Sequence, residues 1–185
     1  MDLGLTGKTA IVIGGSSNIG RASVLALSRE GANVVIAARN AANCEAVAAK
    51  ASGKTLVVST DATQYEQVQA LADKTMDTFG AVDIVVGRLG FLVTPATACG
   101  DRSEWAPVIE SNYVAMLNWF HVFLPIMLRQ KSGTIITVSS VMGRRADSLE
   151  PVYAGTKAAQ ILFSQCMARQ HSPAGVRINV VAPGP

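Results

Sequence analysis

Short apolar runs rich in β-branched residues alternate with longer helical stretches from Thr9 almost to the last residue, and this alternation restricts the chain to the α/β class. The runs are Thr9–Ile13 (TAIVI), Val34–Ala37, Thr55–Ser59 (TLVVS), Asp83–Val86 (DIVV), Thr134–Val138 and Arg177–Val181. Helices are predicted over Ile19–Glu30, closed by Gly31, and over Asn43–Ala51. A third should start at a capping box formed by Thr63 and Glu66 and run to Phe79, with two more over Asn112–Gln130 and Tyr153–Gln170. A less regular stretch holds Pro95, Gly100 and Pro107. The strands are nearly unbroken apolar runs, as a parallel sheet covered on both faces requires. Right-handed crossovers then leave a doubly wound parallel sheet in three layers, α/β/α, with its ligand crevice at the carboxyl ends of the strands.

Composition narrows the partners. The 185 residues are 49% hydrophobic and 16% charged, enough apolar surface for one domain spanning 1–185, with no repeat, linker or low-complexity segment. A net charge of +3 with no basic run gives no reason to expect nucleic acid or an anionic membrane. The longest uncharged stretch, Tyr113–Leu128, is shorter than a membrane span and reads as a buried helix. The start, Met1-Asp2-Leu3-Gly4, has no secretory character, so a cytoplasmic location is expected. Cys44, Cys99 and Cys166 are odd in number and far apart, and read as small hydrophobes; no metal site is expected from them or from His121 and His171.

Between the first strand and the first helix lies Gly14-Gly15-Ser16-Ser17-Asn18-Ile19-Gly20, where a dinucleotide pyrophosphate would meet the unpaired amides of a helix N-terminus. A Gly-Ser turn at this place is also often only a turn. The second strand ends in Ala37-Ala38-Arg39-Asn40, without the carboxylate that would bind adenosine ribose hydroxyls and repel a 2′-phosphate. Arg39 therefore favours NADP(H) over NAD(H), the other reading being a solvated surface arginine.

Tyr153 and Lys157, four apart at the start of a helix, share one face. Ser139-Ser140 ends the fifth strand before them, and Asn179-Val-Val-Ala-Pro-Gly184 ends the sixth. In this order and spacing, the glycine turn, Asp61, Asn112, Ser140, Tyr153, Lys157 and Pro183-Gly184 resemble the short-chain dehydrogenase/reductase family over the whole chain, which implies a Rossmann-type fold. The resemblance implies that Tyr153 is the general acid/base, Lys157 its electrostatic partner and a holder of the nicotinamide ribose, Ser140 the ligand of the substrate oxygen, and Asn112 the anchor of a proton relay. It also implies cofactor contacts from Gly14, Ser16, Ser17, Asn18, Ile19, Gly20, Arg39, Asp61, Ala62, Gly90, Tyr153, Lys157, Pro183 and Gly184, with Val181 near the nicotinamide. Asp61 has a second reading as a plain cap. A free tyrosine titrates near pH ~10, so bringing it to ~7 needs roughly 4 kcal/mol of preference for the phenolate. Lys157 and an oxidised nicotinamide are expected to supply it.

The sequence departs from the family pattern in three places. Ile13 replaces a threonine, and Asn18 replaces a glycine at a position expected to need positive φ, which asparagine tolerates best. Gly87-Arg88-Leu89-Gly90 stands where Asn-Asn-Ala-Gly is expected, which predicts a looser sheet edge with Arg88 turned toward the cofactor's ribose or phosphates. Arg144-Arg145 reads as a solvated pair, with an acidic substrate as the alternative, and Trp105, Trp119 and Phe120 as core or interface aromatics. The helices at 112–130 and 153–170 are apolar on more than one face, so a homodimer or homotetramer through them is expected. The expected activity is hydride transfer between NADP(H) and a small carbonyl or secondary alcohol; a non-catalytic nucleotide-binding or scaffold subunit is the alternative. Because the family's domain continues past the Pro-Gly turn with a lid and a further strand, the sequence ending at Pro185 is expected to be incomplete.

Overall fold

β-Branched side chains lose rotamer freedom in a helix and pack well on a pleated surface, and each apolar run becomes a strand. These are β1 (Thr9–Ile13), β2 (Asn33–Ala38), β3 (Thr55–Ser59), β4 (Ile84–Gly87), β5 (Gly133–Val138) and β6 (Val176–Val181). The computed structural model describes residues 2–88, 90, 101–146 and 150–184. Leu89, Pro95, Cys99, Gly100 and Pro185, named above, lie outside the described residues.

All pairings are parallel, in the order β3-β2-β1-β4-β5-β6. This is the doubly wound arrangement whose direction changes between β1 and β4. Period-two alternation sorts the strand side chains into two cores. Ile11, Ile13, Val35, Val85 and Ile135 pack with α3 (Tyr65–Phe79) and α5 (Ala115–Gln130) on one face. Ala10, Val12, Val34, Ile36 and Val86 pack with α1 (Asn18–Arg29) and α2 (Ala41–Ala48) on the other. Burying each large aliphatic side chain contributes about 1.5–3 kcal/mol, and β1 and the middle of β2 are buried throughout.

Several expectations change. The capping box at Thr63 and Glu66 does not form: Thr63 Oγ1 donates to Asp61 Oδ1 at 2.8 Å, and Gln64 occupies the cap position of α3. The helix expected over Asn43–Ala51 is Ala41–Ala48, because the Asn40 side chain accepts from the Asn43 amide and starts it earlier. The helix expected over Asn112–Gln130 is interrupted. A short helix α4 (Trp105–Ile109) runs into a π turn over Glu110–Val114 before α5 begins. Cys44 is buried, but Cys166 is exposed on α6 (Pro151–His171) and is no core residue.

The apolar faces of α5 are largely covered by the chain itself: Met116, Trp119, Phe123 and Met127 are all buried. The need for a second subunit over this helix therefore falls away. On α6, Leu162 remains 64% exposed.

The looser edge expected at Gly87 is also absent. β4 is a central strand, with Gly87 paired to Ile13 on one side and Thr137 on the other. The space above Gly87 is filled by an indole, since a Cβ there would stand 2.4 Å from Trp119 Cζ2. Trp119, stacked on Phe120 with ring centroids 4.4 Å apart, takes the volume a side chain at 87 would need. Gly87→Ala should cost about 1–3 kcal/mol by overpacking, and Trp119→Leu in the same chain should recover part of it. Chemical denaturation of the two single variants and the double variant checks this, and strict additivity would contradict the contact.

Candidate active site

The site is assembled where β1, β4 and β5 end. After β1 the chain turns through Gly14 at φ +79°, a conformation that glycine adopts without strain. Its missing side chain matters as much, because a Cβ on Gly14 would overlap the Arg88 carbonyl oxygen that follows β4. Arg88 donates its amide to the Ile13 carbonyl at 2.9 Å, locking the two strand ends together. Asn18 has φ +45°, the left-handed conformation expected of it. Ser17 occupies the N-cap of α1 with no side-chain cap hydrogen bond, and no acidic residue stands in the first turn. The helix thus presents unpaired amides and an uncommitted hydroxyl to the crevice, as an anion site requires.

Of the residues expected to hold a cofactor, Gly14, Ser16, Ser17 and Arg39 line one crevice, as do Asp61, Ala62 and Gly90. Arg88 lines it too. Asn18, Ile19 and Gly20 do not. Ile19 is exposed, and Gly20 is buried with its α-carbon against the Gly14 backbone, where a Cβ would overlap the Gly14 carbonyl. Pro183 and Gly184 also lie outside its lining; the Pro183 carbonyl accepts from the Val141 amide at 2.9 Å and so braces the loop after Ser140. Asp61 both lines the crevice and caps its own turn, accepting from the Thr63 amide and hydroxyl. Sequence reasoning missed Asn118 on α5, whose side chain donates to the Ala62 and Thr63 carbonyls at 3.1 and 3.0 Å and fixes this wall.

The second half of the site is docked by α6. Thr137 and Ser164 hydroxyls meet at 3.0 Å, and Ser139 Oγ donates to the Lys157 carbonyl at 2.9 Å, so β5 is tied to α6 at the lysine and again seven residues further along the helix. Ser140 caps a 3-10 turn, accepting from the Met142 amide, and its hydroxyl acts on the Tyr153 phenol in the direction that favours the phenolate. Lys157 Nζ lies 5.3 Å from the centre of the Tyr153 ring and 4.0 Å from where a Cβ on Gly90 would stand, so the pair sits behind Gly90, and neither residue is part of the crevice lining. Asn112, fully buried in the π turn, donates its side-chain amide to the Val108 carbonyl at 2.8 Å. Gln160, also missed, accepts from Lys157 Nζ at 3.1 Å and donates to the Asn112 carbonyl at 2.7 Å. Its spacing of three from Lys157 was the available signal.

Electrostatics here run partly against expectation. Burial pushes the Tyr153 phenol above its ordinary value, only partly offset by the Ser140 hydrogen bond and the Arg88 guanidinium, with Glu150 pushing further up. Lys157 is brought down to about 7 by burial and then by Arg88. The phenol is therefore shifted the opposite way from the lowering expected beside Lys157, because burial outweighs Ser140 and Arg88. Arg88 reaches both groups.

Among the described residues, no three His, Cys, Asp or Glu side chains are grouped to hold a metal, and no helix is long and apolar enough to cross a membrane. His121 is exposed on α5, edge-on to Tyr65.

Residues 8–185 match the profile of the short chain dehydrogenase family. An uncharacterized oxidoreductase of Staphylococcus aureus is 34% identical over 97% of this chain and 78% of its own length. One from Staphylococcus saprophyticus is 33% identical, with 97% and 79% covered. The crystal structure of a short-chain type dehydrogenase/reductase from Mycobacterium marinum superposes with a TM-score of 0.93 at 30% identity, over 97% of this chain and 75% of that one. With the parallel sheet, the glycine turn under an open helix N-terminus and the Ser140–Tyr153–Lys157 cluster at its carboxyl edge, these likenesses place the chain in the short-chain dehydrogenase/reductase family of oxidoreductases.

Proposed function

We propose that the protein transfers a hydride between NADP(H) and a carbonyl or secondary alcohol, with Tyr153 as general acid/base. The observation that carries this reading is the convergence of the Tyr153 phenol, the Ser140 hydroxyl and the Lys157 ammonium beside a crevice that ends at an uncapped helix N-terminus. That crevice suits a dinucleotide: amide donors and the Ser16 and Ser17 hydroxyls stand at one part of it, and Gly90 lines it on the side of Lys157. When bound, the nicotinamide would supply the hydride. Ser140 would donate to the substrate oxygen, and Tyr153 would hold the proton that oxygen takes up. A phenol pushed up by burial keeps its proton at neutral pH and is suited to the reductive direction.

The preference for a 2′-phosphate rests on Arg39, exposed at the crevice rim next to Ala37 and Ala38, with the Asn40 side chain committed to capping α2. The assembly rests on α6, whose outward Leu162 suits contact with a second copy; sedimentation at micromolar concentration reads it directly. A cytoplasmic site of action belongs to the same reading.

Tyr153→Phe removes only the ionisable oxygen, so NADPH oxidation with a panel of carbonyls should fall by about 10²-fold or more while cofactor binding persists; retained turnover would sink the mechanism. Charge-assisted contact with a phosphate is worth about 1.5–3 kcal/mol, so NADPH should bind about 10- to 100-fold tighter than NADH. Arg39→Asp should erase that ratio in a fluorescence titration. Absence of binding at near-millimolar NADPH would instead favour a scaffold subunit.

A further inference from the structure

Lys157 is 1% exposed and Gln160 2%, so an ammonium and a neutral amide are buried together where water cannot satisfy either. Gln160 Oε1 accepts from Lys157 Nζ at 3.1 Å, and Gln160 Nε2 donates to the Asn112 carbonyl at 2.7 Å. These partners dictate the amide's orientation, because the flipped amide would aim its NH2 at the ammonium and its oxygen at a carbonyl, repulsive on both sides. The carbonyl it meets lies in the π turn, where the Ala115 amide reaches back five residues to Glu110 and the regular helical ladder is interrupted. The π turn and α6 are thus joined through one residue, which also holds the lysine ammonium.

We propose that Gln160 is a positioning residue that bridges the Lys157 ammonium to the Asn112 carbonyl, setting both its place and its charge beside Tyr153. The inference rests on the oxidoreductase reading for its consequence, but the contact can be tested without it. An amide neither gains nor gives a proton near neutral pH, so Gln160 holds the lysine and does not carry a proton from it toward Asn112. Among the described residues, the groups that act on Lys157 and its neighbour include Arg88 at the end of β4, which opposes the ammonium, Tyr153 on the same helix, and Glu150, which acts on the Tyr153 phenol. Burial and Arg88 both favour neutral lysine, and Lys157 titrates at about 7. Gln160 Oε1 favours the charged form, so its removal should bring the titration down and a carboxylate in its place should raise it.

The test follows the Lys157 13Cε resonance, assigned by its loss in Lys157→Met, through a pH titration of the parent protein, Gln160→Leu and Gln160→Glu without cofactor. The midpoint should fall by about one pH unit in Gln160→Leu and rise by about one in Gln160→Glu. In NADPH-dependent carbonyl reduction, the alkaline limb of kcat should move in the same directions, with KM for NADPH changed less than kcat. Gln160→Glu preserves shape and carries the test if Gln160→Leu does not fold. Midpoints that coincide with the parent, or move the same way in both variants, overturn the proposal. Shifted midpoints in a protein that reduces no carbonyl would leave Gln160 in place and overturn the function instead.

Discussion

The join between β1 and β4 governs what can be placed at the site. Parallel pairing aligns Ile13 with Gly87, so the two chains leave the sheet side by side, one toward α1 and the other toward the crevice wall. They can do so only because Gly14 has no side chain: any Cβ there would occupy the position of the Arg88 carbonyl. Gly20 repeats the constraint one turn into α1, where a Cβ would collide with the Gly14 carbonyl. Together these approaches draw the helix N-terminus onto the strand ends, and the crevice is the gap they leave. The glycines that read as a nucleotide motif are thus first a packing requirement, and their use by an anion follows from the amides this packing exposes.

The fold was legible because parallel strands buried on two faces write themselves as continuous β-branched runs, and every one of those runs became a strand. The crevice residues Gly14, Ser16, Ser17 and Arg39 were legible from their places at strand ends, whereas Asp61, Ala62 and Gly90 came from the resemblance to the family. What escaped is pairwise. Gly87 looks like a loss of sheet cohesion until Trp119, 32 positions on, is seen filling its volume, and nothing in either residue alone announces the other. Asn118 and Gln160 are uncharged polar residues that little in the sequence singles out, and their value comes from carbonyls of Ala62, Thr63 and Asn112 that only the fold brings to them. The capping box failed for a related reason: Thr63 had a nearer partner in Asp61.

Charge is the other property the sequence could not deliver. Tyrosine next to lysine suggests a lowered phenol, but both side chains enter a region where burial is the largest influence on each, raising one and lowering the other. Each shift favours a neutral group, so burial draws the pair toward phenol and amine. Arg88 opposes the lysine's charge while favouring the phenolate, so beside Arg39 the crevice is lined by a second cation, one that the family pattern does not contain. An anionic ligand at the α1 N-terminus would be drawn to the same guanidinium. Binding there would weaken the repulsion that Arg88 exerts on Lys157 and let the lysine take up its charge beside Tyr153, so that the site is electrostatically completed by what it binds.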